Sequence, residues 1–368
     1  LKIVQLCISE SLGGLEQVFE KYTRLFHQQS KHESLGVVLQ HSALHQRLQQ
    51  DGVPFYTLPS HSALEVLPNA LRLARLLEEC EADILHMHLK KDLTTAVLAK
   101  MFCRRKLKLL YTRHMHIANS KKDPWHRFFY QKIDLYITIT EQMRQEALRF
   151  IPLPANAIKR LYTGVKAPEQ FHQDLCREFF QHEPSGEKFR VGIFARIDPH
   201  KGQHLVLQAA AKLKKKYPQL HYYMVGLATD ESYHQSLHKI TEQEGLTDVV
   251  HFPGFHKYPT AIMPCFDVVL LASAHETFGL VLPEAMRAGV AVIGADAGGV
   301  QEIIDHNDTG LLFRPGDADD MAEKIETVYL QQDLRQKLAK QGKEKADRLF
   351  SEEAHFAELE ELYHQVVS

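Results

Sequence analysis

Within 368 residues there is one tryptophan, Trp125, and there are five cysteines. No apolar run approaches the ~18–20 residues of a membrane-spanning helix. The longest, around 268–272, has the length of a buried strand, so a transmembrane helix is excluded. The cysteines, at positions 7, 80, 103, 176 and 265, are odd in number and widely spaced, with no C-x-x-C pair. That pattern predicts reduced, buried thiols and neither a disulfide framework nor a zinc site. Residues 1–11 lack both the basic and the extended apolar region of a secretory signal, which predicts a cytoplasmic protein. Disorder and collagen-like repeats are excluded as well, because hydrophobic residues at 44% and charged residues at 24% match globular averages.

Overall charge of one sign is also lacking, with 44 Lys and Arg against 46 Asp and Glu, but the balance hides a division. Residues 1–168 carry 24 basic and 15 acidic side chains, a net of +9, and the remainder carries a net of −11. Ten basic residues against one acidic residue, Asp123, fall within 100–132, a stretch expected to attract something anionic. Histidine is abundant, at 23 residues, yet the tight pairs are only His86/His88 and His114/His116. On a strand, i and i+2 share a face, so each pair has a spacing compatible with metal ligation. No Cys or acidic third ligand lies close by in sequence; no metal is expected, and His88 and His116 have no assigned role.

Short β-branched runs alternate with longer amphipathic segments, which is the pattern of βαβ units and parallel sheets. The strand candidates are 2–8, 35–40, 53–58, 83–88, 108–114 and 134–140, then 189–195, 220–226, 249–254, 267–273, 290–295 and 309–313. Length alone argues for two domains of roughly 100–200 residues each. The stretches 167–168 and 182–188 read as the connection between them. The expected division is therefore 1–168, joined by about 351–368 packing back as a C-terminal helix, and 185–350.

Open parallel sheets bind ligands beyond the C-terminal ends of their strands, and four strand-to-helix turns carry suitable residues. In the first, Gly13 and Gly14 allow a backbone to approach a ligand, although a Gly-Gly turn before a helix also serves as a tight turn alone. In the second, Arg196 and Lys201 precede a helix and suit a diphosphate; a solvated basic loop is the plainer alternative. In the third, Glu276 and Glu284 bracket Phe278, Gly279 and Leu280, with Pro283 tolerated in the first helical turn. The helix is expected to open at 278–280, with Glu284 in its second turn. The amides of 278–280 would meet ligand oxygens and the two carboxylates ligand hydroxyls. In the fourth, Gly298 and Gly299 precede a helix whose first turn holds Glu302, an ordinary place for a stabilising acid.

Together these turns resemble family 4 of the retaining glycosyltransferases, and the similarity runs through essentially the whole chain. The matching pieces are GGLE near the N-terminus, DILHMH, TRH at 112–114, TGV at 163–165, ARIDPHKG, VVHFPG, HETFGLVLPE, GAD with GGVQE, and TGLLF. The resemblance implies an α/β protein of the GT-B fold: two facing Rossmann-like domains with parallel sheets, the active site between them and a C-terminal helix crossing back to the first. It implies a nucleotide-diphosphate hexose as donor substrate, UDP- or GDP-linked, with no cofactor and no metal. Arg196 and Lys201 would bind the diphosphate, Glu284 the ribose, and Glu276 the transferred sugar. The amides of Phe278, Gly279 and Leu280 would meet sugar and phosphate, and the backbone near Gly254 and Phe255 the base. From the first domain, Gly13 and Gly14 would approach the phosphate and His114 the reacting sugar. Similar enzymes build bacterial cell-envelope glycans with retention of anomeric configuration.

Within 100–132, Arg104, Arg105, Lys106, Lys121, Lys122 and Arg127 are interleaved with aromatics that include Trp125. The mixture suits an anionic bilayer, predicting peripheral attachment to the inner face of the plasma membrane and a glycan or lipid-linked acceptor. A solvated basic helix with its aromatics in the core is the alternative. Nucleic acid is not expected as a partner. A sugar-nucleotide epimerase, a phosphorylase or a catalytically silent sugar-nucleotide-binding scaffold remain the other readings of the site.

Overall fold

The computed structural model describes residues 1–11, 13–28, 32–60, 62–168, 173–181 and 186–368; Leu12 of the first Gly-rich turn and 182–185 of the expected connection lie outside the described residues. Two compact units are formed, Leu1–Leu161 with Ala357–Ser368, and Tyr162–Phe356.

The first unit contains β1 (Lys2–Cys7), α1 (Gly14–Gln28), β2 (Glu33–Leu39), α2 (Ala43–Gln50), β3 (Phe55–Leu58), α3 (Val66–Glu79), β4 (Ile84–Met87), α4 (Leu93–Phe102), β5 (Lys108–Arg113), α5 (Pro124–Tyr130), β6 (Leu135–Thr138), α6 (Glu141–Phe150) and β7 (Ile158–Arg160). Its seven parallel strands lie in the order β3-β2-β1-β4-β5-β6-β7. The second unit contains α7 (Gln173–Phe179), β8 (Phe189–Phe194), α8 (Gln203–Lys214), β9 (Leu220–Val225), α9 (Glu231–Gln243), β10 (Val250–Gly254), α10 (Pro259–Ile262), β11 (Val268–Leu271), α11 (Val281–Arg287), β12 (Ala291–Ala295), α12 (Val300–Ile303), β13 (Leu311–Phe313), α13 (Ala318–Leu330), α14 (Gln332–Leu349) and the start of α15 (Glu352–Val367). Its order, β10-β9-β8-β11-β12-β13, repeats that of the first sheet. Each sheet therefore reverses direction of growth beside its first strand, between β1 and β4 and between β8 and β11, and such reversals open a crevice at the strand C-termini.

All twelve expected strands are present, and β7 is a thirteenth. It has three residues, Ile158, Lys159 and Arg160, at the edge of its sheet, too short and too basic for its pattern to stand out. The strands are parallel and covered by helices, which is why their residues read as continuous apolar runs. In the first unit α3 and α4 pack on one face through Leu73, Leu77, Ala96 and Val97, all buried. In the second, α8 and α13 cover the equivalent face through Val206, Leu207, Met321 and Ile325.

The unit boundary falls seven residues before the expected position 168. The Tyr162 ring packs edge-on to Phe350 at 5.1 Å. The Val165 N–H donates to the Phe350 carbonyl at 2.8 Å, and the Val165 carbonyl accepts from the Glu352 N–H at 3.1 Å and from the buried Arg287 guanidinium. Those bonds tie 162–165 to α11 and α14. Likewise, the first unit takes the helix only from Ala357 onward, in place of 351.

The cysteine expectation needs correction. Cys176 on α7 and Cys265, in the turn after α10, form a disulfide with their Cα atoms 5.5 Å apart. The two are separated by 89 positions, and their meeting depends on α7 packing against α10, which spacing along the chain does not encode. Cys7 and Cys103 are buried free thiols as expected, and Cys80 is half-buried.

The His86/His88 pair also finds its explanation in the fold. Both side chains project from one face of β4, with ring centroids 4.4 Å apart, into a chain of buried polar groups. Gln5 donates through Nε2 to the Tyr363 hydroxyl (3.1 Å), which donates to His86 Nδ1 (2.7 Å). His86 Nε2 then donates to Thr112 Oγ1 (2.7 Å), and His88 Nε2 donates to Gln5 Oε1 (2.8 Å). In each of these four bonds a donor meets an acceptor with both imidazoles neutral, which gives the pair a structural part in the fold. Tyr363 is fully buried and lies on α15, and the chain of bonds holds that helix to the sheet. Tyr363→Phe should destabilise the protein by about 2 kcal/mol, because His86 and Gln5 each lose a partner without regaining water. Urea denaturation measures this, and a loss below about 0.5 kcal/mol would show that the network is not what anchors the helix.

Candidate functional site

In the second unit the expected residues gather at the C-terminal ends of β8, β10 and β11. After β8 the chain forms a short 3₁₀ turn, Pro199–Lys201, whose N-cap Asp198 accepts from the His200 N–H at 2.9 Å. Gly202, left-handed at φ 74°, then opens α8, and a Cβ there would stand 2.6 Å from the Ala272 carbonyl. This close approach seats the Lys201 turn against the end of β11. Lys201 Nζ donates to Glu276 Oε2 at 2.9 Å, so the expected diphosphate cation and the expected sugar carboxylate form one half-buried ion pair.

The loop that carries Glu276 is held by backbone packing. The Gly299 N–H donates to the Glu276 carbonyl at 3.1 Å. A Cβ on Gly298 would lie 2.3 Å from that carbonyl oxygen, and one on Gly299 2.3 Å from the Thr277 carbonyl oxygen. Gly298 and Gly299 therefore brace the Glu276 loop. Farther along, Phe278 is buried between Tyr162 and Phe350, which anchors the main chain of 278–280, and Gly279 makes the turn at φ 90°. Helix α11 opens at Val281 and not at 278–280, so Glu284 sits in its first turn and not its second.

Glu284 and Arg196 line a cavity of about 220 Å³ together with Phe255, Gly226 and Val281. Gly254, at φ 80°, places its carbonyl to accept from the Gly226 N–H at 2.9 Å, and the exposed Phe255 ring follows it. An aromatic ring, a carboxylate and a guanidinium around one small cavity suit a flat ring, a hydroxylated sugar and an anionic group in succession.

In the first unit Gly13 precedes α1 and Gly14 opens it. The Gly13 N–H donates to Glu16 Oε2 at 2.8 Å, and Ser9 Oγ donates to Glu16 Oε1 at 2.6 Å. Burial pushes the Glu16 carboxyl up, but bonds from Ser9, from the backbone N–H groups of Glu16 and Gly13, and from Ser11 outweigh it and leave the pKa lowered. Glu16 thus orders the Gly-rich turn as a charged brace. The Asp92 carboxylate accepts the Ile8 N–H at 2.9 Å and ties the end of β1 to the turn after β4, where the strand order reverses.

His114 follows β5 and stacks on His88 at 5.8 Å. It is half-buried, with its Nε2 shielded from water; that desolvation, reinforced by the neighbouring Arg113 charge and only partly opposed by Glu16, lowers its pKa to about 4. At neutral pH it is an uncharged imidazole whose Nε2 has no hydrogen-bond partner among the described residues. A buried, unpartnered imidazole nitrogen at a strand C-terminus is a feature of a binding site more than of a core. The second triplet is therefore divided: His116 Nδ1 meets Glu146 Oε1 at 2.8 Å, and Arg113 donates to the carbonyls of Met115 and His116. His116 shapes the loop that presents His114 and is not paired with it as a metal ligand.

Each sequence candidate thus falls at the expected edge of its own sheet: Arg196, Lys201, Glu276, 278–280, Glu284, Gly254 and Phe255 in the second unit, and Gly13, Gly14 and His114 in the first. Sequence reasoning missed Glu16 and Asp92 as braces. The Gly13-to-Glu16 spacing of three, typical of a helix-start brace, was the available signal for Glu16. Asp92 carried none, since its partner lies 84 positions away.

Comparisons with known proteins bear on the family and the fold. Residues 12–167 match the family model described as Glycosyltransferase Family 4, and 176–345 match that of Glycosyl transferases group 1. N-acetyl-alpha-D-glucosaminyl L-malate synthase of Bacillus anthracis is 26% identical over 84% of this chain and 83% of its own. The lipopolysaccharide core biosynthesis glycosyltransferase LpsE of Rhizobium meliloti is 30% identical over 45% of this chain and 46% of its own. Among solved structures, Anabaena HepE in complex with UDP superposes with a TM-score of 0.85 at 24% identity, covering 99% of this chain and 100% of HepE. Its complex with UDP-glucose gives 0.81. With both units matched in sequence and the two-sheet architecture shared, the chain belongs to glycosyltransferase family 4 and is a glycosyltransferase of the GT-B fold.

Proposed function

We propose that this glycosyltransferase moves a hexose from a UDP- or GDP-hexose to a glycan or lipid-linked acceptor of the bacterial cell envelope, with retention of configuration and without a metal. The observation that carries the reading is that one strand edge of the second sheet bears both the Lys201–Glu276 ion pair and the cavity lined by Arg196 and Glu284. Support comes also from HepE, solved with UDP and UDP-glucose, and from LpsE, a lipopolysaccharide core enzyme.

Cleavage of the bond between the anomeric carbon and the donor phosphate leaves negative charge on the diphosphate and positive charge on the sugar. Fixed cations at the phosphate stabilise that separation without reorganising. In the proposal Arg196 and Lys201 supply them, the donor diphosphate taking over Lys201 and freeing Glu276 to accept hydrogen bonds from sugar hydroxyls. Glu284 accepts from the ribose, and the base lies against Phe255 near Gly254. The acceptor oxygen attacks the anomeric carbon on the face the phosphate leaves, and its proton passes to the departing phosphate oxygen. From the first unit, His114 contributes a neutral imidazole to the sugar, and the Gly13–Gly14 turn an open backbone to the phosphate.

The membrane reading rests on exposure. Trp125 is 68% exposed and Phe128 45%, next to Lys121, Lys122 and Arg127, whereas Phe129 and Tyr130 are buried. Part of the aromatic set therefore belongs to the core and part to the surface, and the surface part has the composition of an interfacial anchor. No described helix is long and apolar enough to cross a membrane.

Lys201→Ala should lower kcat by about 10²–10³, the usual cost of removing one preorganised charge-stabilising group. Glu284→Ala should mainly weaken nucleotide binding. Donor screening by thermal shift, followed by product analysis for net transfer, tests both; isomerised donor or phosphate-dependent cleavage would replace the transferase reading for this site.

The His114 pKa gives a pH prediction with a definite sign. Its folded value of about 4 lies below the ordinary 6.5, so the unfolded chain binds the extra proton between those values. The stability it contributes is complete above about pH 6.5 and falls as pH drops toward 4, by about 2 kcal/mol from pH 7 to 5. Comparing wild type with His114→Asn by chemical denaturation at the two pH values isolates this loss, and equal losses in both proteins would show that His114 is not held neutral.

Liposomes test the surface. The protein should pellet with phosphatidylglycerol vesicles at low salt, less so with Trp125→Ala/Phe128→Ala, and not at high salt. Absence of pelleting at low salt would remove the membrane from the proposal.

A further inference from the structure

We infer that His32, Glu360 and His364 form a binding site for a divalent transition ion of the zinc class, which staples the C-terminal helix to the first sheet. All three belong to the first unit. His32 immediately precedes β2, and its Nε2 lies 2.9 Å from Glu360 Oε1 on α15. His364 is four residues beyond Glu360, so the two share one helix face. The His32 and His364 rings are 5.7 Å apart, and one ligand atom from each of the three residues falls within 4.8 Å of the others.

The donor set is two imidazole nitrogens and one carboxylate oxygen, a combination that selects zinc-class ions over magnesium or calcium. Bonds of ~2.0–2.1 Å in a tetrahedral arrangement place ligand atoms about 3.4 Å apart. His32 and Glu360 already lie closer than that, and the exposed His364 ring closes the remaining distance by a change of rotamer. The His32 side chain is only 5% exposed and rests on Phe26 at 5.9 Å, so one ligand is preplaced by the core. Binding requires the His32 tautomer with Nε2 bare and the ring proton on Nδ1, and the Leu1 amino group 3.3 Å from Nδ1 accepts from it after releasing a proton of its own to solvent.

The location argues for a staple and against a part in sugar transfer. His32 lines a cavity of about 470 Å³ with Lys2, Ser34 and Cys80, at the N-terminal ends of β1 and β2. Gly14 and His114 stand at the opposite, C-terminal edge of the same sheet. The exposed His364 side of the cluster gives water access to the remaining coordination positions. Along α15 the site adjoins Tyr363, so an ion would add a second anchor to the buried hydrogen-bond network there.

The test is calorimetric titration of untagged, chelator-stripped full-length protein with zinc chloride, alongside thermal denaturation. The expected result is a saturable phase near one equivalent, weakened at least about tenfold by His364→Ala and by Glu360→Gln, with zinc raising the Tm of wild type but not of His364→Ala. Both substituted side chains lie at the surface or partly so, and His32 is left in place to avoid a folding defect. Magnesium chloride should give no such phase. His238→Ala, which breaks the exposed His234–His238 pair on α9, should leave the phase unchanged. Loss of the phase in His238→Ala, identical binding in His364→Ala and wild type, or no saturable phase at all would each overturn the inference.

Discussion

Backbone packed against backbone at the ends of β8 and β11 is the constraint on which the geometry of the Lys201–Glu276 pair depends. Gly202 sits against the Ala272 carbonyl, and Gly298 and Gly299 sit against the carbonyls of Glu276 and Thr277. None of these contacts tolerates a Cβ, and together they bring Lys201 to 2.9 Å from Glu276, a residue 75 positions away. An ion pair between two flexible side chains is worth little by itself. Here both stems rise from turns fixed by main-chain contact, so the charges are held in place before any ligand arrives.

The first unit reaches a comparable rigidity by different means. Its turns are braced by buried carboxylates, Glu16 at the Gly13 amide and Asp92 at the Ile8 amide, and its face toward α15 is filled with neutral hydrogen-bonded side chains. The same histidine-rich strand region serves two purposes. His86 and His88 are consumed by structure, and their stacking helps bury His114, whose desolvation keeps it uncharged.

The C-terminal helix links these themes. Its early residues belong to the second unit and its later ones to the first, where Tyr363 is fully buried. Along that helix Phe356, Leu359 and Leu362 are buried as well, so the Tyr363 hydroxyl adds a directional polar anchor to apolar packing.

The pattern of strands and helices was legible in the sequence because parallel strands covered on both faces must be nearly continuous in apolar residues, and such runs cannot be mistaken for turns. The strand-to-helix turns with Gly13, Lys201, Glu276 and Glu284 were legible for a related reason: open α/β sheets concentrate ligand groups there. The tertiary structure alone decided which residues meet. The Cys176–Cys265 bond, the seat of Glu276 on Gly298 and Gly299, the Tyr363–His86 hydrogen bond and the His32–Glu360–His364 cluster all join positions tens to hundreds of residues apart. Spacing rules report only neighbours along one element, and these pairings are set by how elements pack.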